Sequence, residues 1–173
     1  MRRVKLRFRR RNGAPRISVI DPDSPSRAKA SHLRWFPTEE KYRVTADWIP
    51  YPQPKPMHVA DSDGGTRDWH CPGHAAFQIA DQQLTLEPFI TPGENSLFFT
   101  FRDTTAGHET YGAGRFFEAE MAKGGKVILD FNKAYNPLCA YNHFFFCPVP
   151  PKQNRLPVAI SAGEKMYDGT PVT

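Results

Sequence analysis

The chain has 173 residues, of which 39% are hydrophobic, 13% aromatic and 24% charged, which suits one folded domain over residues 1–173 and excludes a disordered chain. No apolar run approaches the ~20 residues of a membrane span, and no apolar segment follows the basic N-terminus as in a signal peptide, so we expect a soluble, cytoplasmic protein with no membrane partner. The formal net charge is +5, but seven of the 23 Lys and Arg residues lie in the first eleven positions.

The basic N-terminal arm has the pattern of a strand. Val4, Leu6 and Phe8 alternate with Lys and Arg residues. This period of two predicts a half-buried strand whose basic side faces solvent. Because the remaining 16 basic residues are outnumbered by 18 acidic ones, we expect no nucleic-acid partner.

Short alternating stretches continue along the chain, separated by turn residues. Strands are predicted, in chain order, at 16–20, 42–48, 75–79, 83–86, 97–101, 115–120, 127–131 and 157–160. Turns are predicted at Asn12-Gly13, Asp63-Gly64-Gly65, Pro92-Gly93 and Gly124-Gly125, and one short helix at 26–31. The prolines at 50, 52, 54 and 56 predict an extended polyproline connection.

These elements define the expected fold class. Seventeen prolines and twelve glycines leave no room for long helices. We predict an all-β protein, an antiparallel partly open barrel or sandwich, with a long ordered loop over residues 135–156 near the C-terminus.

The last third of the chain carries a concentration of guanidinium, amide, phenol and carboxylate groups. Arginines can bind a carboxylate or phosphate bidentately while Asn and Tyr fix its orientation. The predicted pocket for a small polar or anionic ligand comprises Arg102, Asp103, Glu109, Tyr111, Arg115, Asn132, Tyr135, Asn136, Cys139, Tyr141, Asn154 and Arg155. The alternative is that the same groups bond to one another and to the main chain as an internal scaffold.

Several motifs in this region resemble a known family. They include Trp35-Phe36-Pro37, Phe101-Arg102-Asp103, Tyr111-Gly112-x-Gly114-Arg115, Asp130-Phe131-Asn132-x-Ala134-Tyr135-Asn136-Pro137, Cys139-Ala140-Tyr141-Asn142, Cys147-Pro148-x-Pro150-Pro151, Asn154-Arg155-Leu156-Pro157 and Gly163-Glu164-Lys165. The chain resembles the C-terminal part of the bacterial domain of unknown function 1684 family, over a core of residues 15–165 with a tail at 166–173. The resemblance implies that family members extend further at the N-terminus, and it implies no reaction.

Thiol chemistry is the alternative function. Cys139 or Cys147 would act as the nucleophile of a hydrolase or transferase, with His143 or His108 as base. Inert packed thiols are the simpler interpretation, since Cys71, Cys139 and Cys147 match no redox or zinc spacing.

The sequence also offers a possible metal site, two carboxylate pairs and a third functional class. The segment Trp69-His70-Cys71-Pro72-Gly73-His74, with His58, offers zinc-type ligands at a predicted hairpin turn, but its spacing matches no zinc pattern, so we expect no metal and no cofactor. Two carboxylate pairs, Glu118 with Glu120 or Asp130 with Asp103, are candidates for glycosidase-type catalysis. Solvated charges on a strand are the simpler explanation of Glu118 and Glu120. A structural or homo-oligomeric module is the third functional class.

Overall fold

The computed structural model describes residues 3–11, 14–24, 33–90 and 95–169, and the chain forms two compact units, residues 1–32 and 33–173. The helix expected at 26–31 and the turns expected at Asn12-Gly13 and Pro92-Gly93 lie outside the described residues. Within the described part there are eight strands, four short 3-10 helices and no α-helix, which confirms the all-β prediction.

The N-terminal unit contains an antiparallel hairpin. Its strands are β1 (Lys5–Arg11) and β2 (Ala14–Ile20). Leu6 lies opposite Val19 and Phe8 opposite Ile17, which gathers the apolar side chains on one face. All four are exposed, Phe8 to 69%, so the expectation of a half-buried strand is wrong for this face. A two-stranded hairpin has no second layer of its own to cover either side.

The larger unit contains six strands that curl into an open antiparallel half-barrel. They are β3 (Arg43–Ala60), β4 (Thr66–Ile79), β5 (Gln82–Leu86), β6 (Ser96–Phe101), β7 (Arg115–Glu120) and β8 (Lys126–Asp130). The hydrogen-bonded orders are β5-β4-β3-β8 and β6-β7. The short segment at Phe89 and Ile90 links the two sheets, because Phe89 pairs with Phe98 of β6 and the Ile90 N–H donates to the His70 carbonyl of β4. The half-barrel therefore runs from β8 through β3 and β4 to β6 and β7.

Aromatic rings fill the concave side. Phe99 and Phe117 stack with their centroids 4.8 Å apart, and Phe131 packs against Phe117 at 5.1 Å and Phe101 at 5.3 Å. These side chains are fully buried. Because side chains alternate along a strand, Glu118 and Glu120 of β7 and Lys126 and Ile128 of β8 point to the convex side and are exposed, whereas Phe116 on that side is covered by Cys139 and Cys147.

The proline run lies inside a strand, so the predicted connection is wrong. Pro50 pairs with Gly73 and Pro56 with His70, and the β3–β4 register shifts between Pro50 and Lys55. Strand β8 covers β3 only from Arg43 to Asp47. The prolines therefore lie where β3 has one hydrogen-bonded neighbour, and a strand edge tolerates residues without an N–H group.

Four 3-10 helices complete the unit, at Glu40–Tyr42, Phe131–Lys133, Leu138–Ala140 and Lys152–Asn154. The last three lie in and around the predicted long loop. The strand predicted at 157–160 does not form: this segment buries Val158 and Ile160, and the Val158 carbonyl accepts from the Thr104 N–H, without a continuous ladder.

Candidate functional site

Arg115, at the start of β7, is the centre of a buried polar network. Its side chain is 1% exposed. The guanidinium donates to the carbonyls of Ala162, Ile160 (2.8 Å) and Glu164 (3.4 Å), and lies 3.4 Å from the Asp103 carboxylate. Burial lowers the pKa of Arg115, and the Asp103 charge opposes that shift.

Asp103 joins the same network from the other side. One carboxylate oxygen accepts from the Ile160 N–H at 2.7 Å and from the Thr105 hydroxyl at 2.8 Å. Arg115 and Asp103 together therefore bind both the carbonyl and the amide of Ile160. This geometry matches the scaffold interpretation, because main-chain groups of the segment 160–164 use the donors that a ligand would need.

Glu164 lies outside the predicted set but contacts three of its residues. Its carboxylate binds Tyr141 and Asn136, and its main-chain carbonyl accepts from Arg115. This carboxyl group is 2% exposed and accepts from the Tyr141 hydroxyl and from the Asn136 N–H, the latter at 2.8 Å. The Asn136 side chain donates to the Lys165 carbonyl at 2.8 Å. Burial raises the pKa of Tyr141, and its bond to Glu164 raises it further.

Two glycines permit this close packing. Gly114 has φ of +100°, and a Cβ there would lie 2.5 Å from the Phe101 carbonyl oxygen. Gly163 has φ of +73°, and a Cβ there would lie 2.5 Å from the Ala134 carbonyl oxygen. Other residues would be strained in this left-handed region as well as colliding with the main chain. The glycines next to Arg115 and Glu164 thus fix the positions of both side chains.

Asn154 forms a second buried polar centre. Its side-chain carbonyl accepts from the Glu87 N–H at 2.9 Å, and its amide donates to the carbonyls of Glu87 and Thr100 at 2.8 Å each. The Glu87 carboxylate in turn accepts from the Tyr51 hydroxyl at 2.5 Å and from the Gln153 amide at 2.6 Å. Asn154 therefore attaches the 152–154 turn to the ends of β5 and β6.

The remaining predicted polar residues lie nearer the surface. Arg102 and Arg155 are paired in a parallel bridge, and both side chains are exposed, without an ion pair to any described residue. Glu109 is exposed. Asn132 is half-buried, and its side chain bonds to the main chain of Glu39 and to Asp130. The Tyr135 hydroxyl donates to Glu118 at 3.2 Å. The predicted set is thus divided among several places.

Cys139 and Cys147 lie together, packed with Phe116. The Cys139 N–H donates to the Cys147 sulfur at 3.4 Å, and the Tyr111 hydroxyl lies 3.8 Å from the Cys139 sulfur. Neither His108 nor His143, the predicted bases, is in hydrogen-bond contact with a thiol among the described residues.

The predicted hairpin turn at 69–74 is wrong, since this segment lies within β4. His70 and Cys71 are consecutive residues of a strand, so their side chains point to opposite faces. Cys71 is buried and bonds to the Gly73 carbonyl at 3.0 Å, while His58 pairs with Asp68 at 2.5 Å. Over the described ranges, no three potential ligands are grouped closely enough to hold a metal ion.

A cavity of about 500 Å³ opens on the side where the half-barrel fails to close. Strands β7 and β8 are joined by the predicted Gly124-Gly125 turn, and Lys123 and Lys126 exchange main-chain hydrogen bonds beside it. At the other end, Phe116 of β7 exchanges two such bonds with Tyr135. Between these points β7 and β8 do not pair. We call this opening the β7–β8 slot; its lining residues are Arg43, Glu118, Ala119, Glu120, Met121, Lys123, Lys126, Val127, Ile128, Asp130 and Lys133.

Main-chain groups point into the slot. The N–H and C=O of Phe116 both bond to Tyr135, on the side of β7 that faces β8. Because these directions repeat every second residue of a strand, the N–H and C=O of Glu118 point to the same side. Lys126 bonds toward β7, which directs the groups of Ile128 toward the slot. Over the described residues, neither N–H has a hydrogen-bond acceptor. The slot therefore presents a backbone N–H donor and a backbone carbonyl from each wall.

The side chains around the slot carry four cations and three carboxylates. Lys123 pairs with Glu120 at 2.8 Å and Lys133 approaches Asp130 at 4.0 Å, while Lys126 pairs with Asp47. Arg43 makes no ion pair with any described residue. The carboxylates Glu118, Glu120 and Asp130, considered above as catalytic candidates, each have a partner from this chain. The guanidinium of Arg43 is therefore the charge left to a ligand.

Comparisons with known proteins agree with this fold. The family model described as "Protein of unknown function (DUF1684)" matches residues 29–165. An uncharacterized protein from gene locus rrnAC0354 of Haloarcula marismortui, solved by solution NMR, is 32% identical, with a TM-score of 0.68 over 84% of this chain and 82% of that chain. No protein of curated function matches. No helix within the described ranges is long and apolar enough to cross a membrane.

The resemblance drawn from the motifs is thereby confirmed. The matched region contains the whole half-barrel, the Arg115 network, both neighbouring thiols and the β7–β8 slot. The chain belongs to the DUF1684 family of proteins of unknown function.

Proposed function

We propose that this protein binds a small anionic ligand, bearing a carboxylate or a phosphate, in the β7–β8 slot. The observation that carries the proposal is the gap between two strands that are adjacent in sequence and unpaired in space. Its volume of about 500 Å³ lies within the range of small-molecule sites. Arg43 and the N–H groups of Glu118 and Ile128 supply donors around it, and apolar residues such as Val127 are among its lining.

The location differs from the end pocket expected from the sequence, although the class of ligand is the same. The Arg115 guanidinium donates its hydrogen bonds to main-chain carbonyls, and the Asp103 carboxylate beside it would repel an anionic ligand. Arg102 and Arg155 lie side by side at the surface and offer a competing anion site. Binding at the slot and binding at this arginine pair predict different effects of mutation.

Arg43→Ala is expected to weaken binding of succinate or inorganic phosphate at least tenfold. A hydrogen bond from a charged donor contributes about 1.5–3 kcal/mol, and each 1.4 kcal/mol corresponds to a factor of ten in affinity. Isothermal titration calorimetry at low ionic strength measures this effect directly, since salt screens exposed charges.

Arg102→Ala is the matched control, because it removes an exposed arginine that does not line the slot. We expect its affinity to stay within about twofold of the wild-type value. Loss of binding in Arg102→Ala with retention in Arg43→Ala would contradict the slot, as would the absence of binding by both anions.

The two other functional classes stay predictions. A thiol-dependent hydrolase or transferase would need a base beside Cys139 or Cys147, and the groups around the Cys139 sulfur are the Cys147 thiol, the Tyr111 phenol and the Ser62 hydroxyl. A homo-oligomeric module would use an exposed surface; the loop side chains Leu138, Phe144 and Phe145 are exposed. Light scattering distinguishes the second class from a monomeric binding protein.

A further inference from the structure

The two neighbouring thiols lie outside the β7–β8 slot and have a chemistry of their own. Cys139 lies in the 3-10 helix Leu138–Ala140, and its main-chain N–H donates to the Cys147 sulfur. The two thiols pack together against the Phe116 ring. Both side chains are in the reduced form, 9% and 8% exposed. Because the Cys147 sulfur lies 3.4 Å from the Cys139 nitrogen, the two cysteines are direct neighbours in space.

The surrounding structure holds Cys147 in place from the β3–β4 hairpin. The Cys147 N–H donates to the Ser62 hydroxyl at 3.1 Å, and its carbonyl accepts from the Ser62 N–H at 2.9 Å. Next to it, Arg67 donates to the Phe146 carbonyl at 2.6 Å. The loop residue Cys147 is therefore anchored by hydrogen bonds to the β3–β4 hairpin.

The surroundings of the two thiols shift their pKa values in opposite directions. The hydrogen bond from Cys147 lowers the pKa of Cys139 to about 6, burial opposes this shift, and the bond from Tyr111 adds to it. The same contact raises the pKa of Cys147, and burial adds to that effect. These opposite shifts favour Cys139 as the nucleophile and Cys147 as the second thiol of the pair. A thiolate is the nucleophile in disulfide exchange.

We propose that Cys139 and Cys147 form a thiol–disulfide exchange site for low-molecular-weight disulfides. The Cys139 thiolate attacks one sulfur of the small disulfide, whose S–S bond breaks and releases one small thiolate. Cys147 then loses its proton to solvent and attacks the Cys139 sulfur of the mixed disulfide. This step releases the second small thiolate and forms the Cys139–Cys147 disulfide, so the protein dithiol is oxidised and the small disulfide is reduced to two thiols.

Cys71 provides an internal comparison. It is also buried, but its thiol bonds to the Gly73 carbonyl, and burial raises its pKa to about 11. Burial alone therefore does not distinguish the pair; the neighbouring position of Cys147 and the Tyr111 hydroxyl do. A reagent that reacts with any thiol should separate Cys139 from Cys71 by rate.

The experiment treats the reduced full chain at neutral pH with 4,4′-dithiodipyridine, which releases one ultraviolet-absorbing thiopyridone for every exchange. We expect rapid release of two thiopyridones per chain and a product about 2 Da lighter than the dithiol, since two hydrogens are lost. Cys147→Ser should release one thiopyridone rapidly and retain a mixed disulfide at Cys139. Cys139→Ser should lose the rapid phase, with a rate at least tenfold lower.

Two further variants keep the test decisive if a cysteine variant fails to fold. Cys71→Ser should leave the rapid phase and the product mass unchanged, and Tyr111→Phe should slow the first exchange while preserving the final disulfide. Circular dichroism verifies folding of each variant. A wild-type product that carries only mixed disulfides would overturn the proposal, as would equal rates for the wild type and a folded Cys139→Ser.

Discussion

Arg115→Met is expected to lower the free energy of unfolding by about 3–5 kcal/mol, because removing one partner of a buried ion pair leaves the other charge uncompensated. Methionine fills most of the volume but donates no hydrogen bond. It would leave Asp103 buried without its cation and would deprive the carbonyls of Ile160 and Ala162 of donors. A loss of this size is a large fraction of the 5–15 kcal/mol typical of a whole domain.

Urea denaturation followed by circular dichroism measures the effect, with Arg102→Met as the matched control. Arg102 directly follows β6, and its side chain is exposed and makes no ion pair with a described residue. Its replacement should therefore change the free energy of unfolding by no more than about 0.5 kcal/mol. A loss below about 1 kcal/mol in Arg115→Met would show that the buried network does not hold the 160–164 segment.

Asn154→Ala is expected to cost at least about 3 kcal/mol. The amide is completely buried, and its removal leaves the Glu87 N–H and the carbonyls of Glu87 and Thr100 without their partner. Each unsatisfied buried polar group costs about 1–3 kcal/mol. Because these three groups belong to β6 and to the end of β5, the effect should also loosen the contact between the 152–154 turn and the sheet.

The variant Asn132→Ala tests whether burial, and not only the number of hydrogen bonds, determines the loss of stability. Asn132 also makes three side-chain contacts, to Glu39 and Asp130, but it is only half-buried and water can replace them. We expect a loss of about 1 kcal/mol or less from thermal or urea denaturation. Equal losses in the two variants would contradict the assignment of Asn154 as a buried structural centre.

The strands were predictable where the apolar pattern is local. Alternation at 97–101 and 115–120 predicted β6 and β7, because each strand buries one face against the aromatic core. The proline run of β3 was not predictable from local rules, since those rules treat proline as a breaker. Its tolerance depends on where β8 ends, and this partner is some 80 residues distant in sequence.

The site was less accessible to sequence reasoning than the fold. Residue type predicted that Arg115, Asn136 and Tyr141 would converge, and they do, but on main-chain groups and on Glu164. Sequence cannot show whether a donor meets a carbonyl or a ligand. The β7–β8 slot depends on two strands that fail to pair, and the amino acids of each strand look like those of any paired strand. That Arg43 has no ion-pair partner among the described residues could be recognised only once the ion pairs of the neighbouring lysines were known.

The most direct test of the account is a titration of the ¹⁵N-labelled protein with succinate and with phosphate, followed by amide chemical shifts. If the slot binds the anion while the Arg115 network serves the fold, the largest changes occur at the amides of Glu118 and Ile128. The amide of Ile160 then stays unchanged. Shifts concentrated at Arg102 and Arg155, with Glu118 and Ile128 unaffected, would contradict the account.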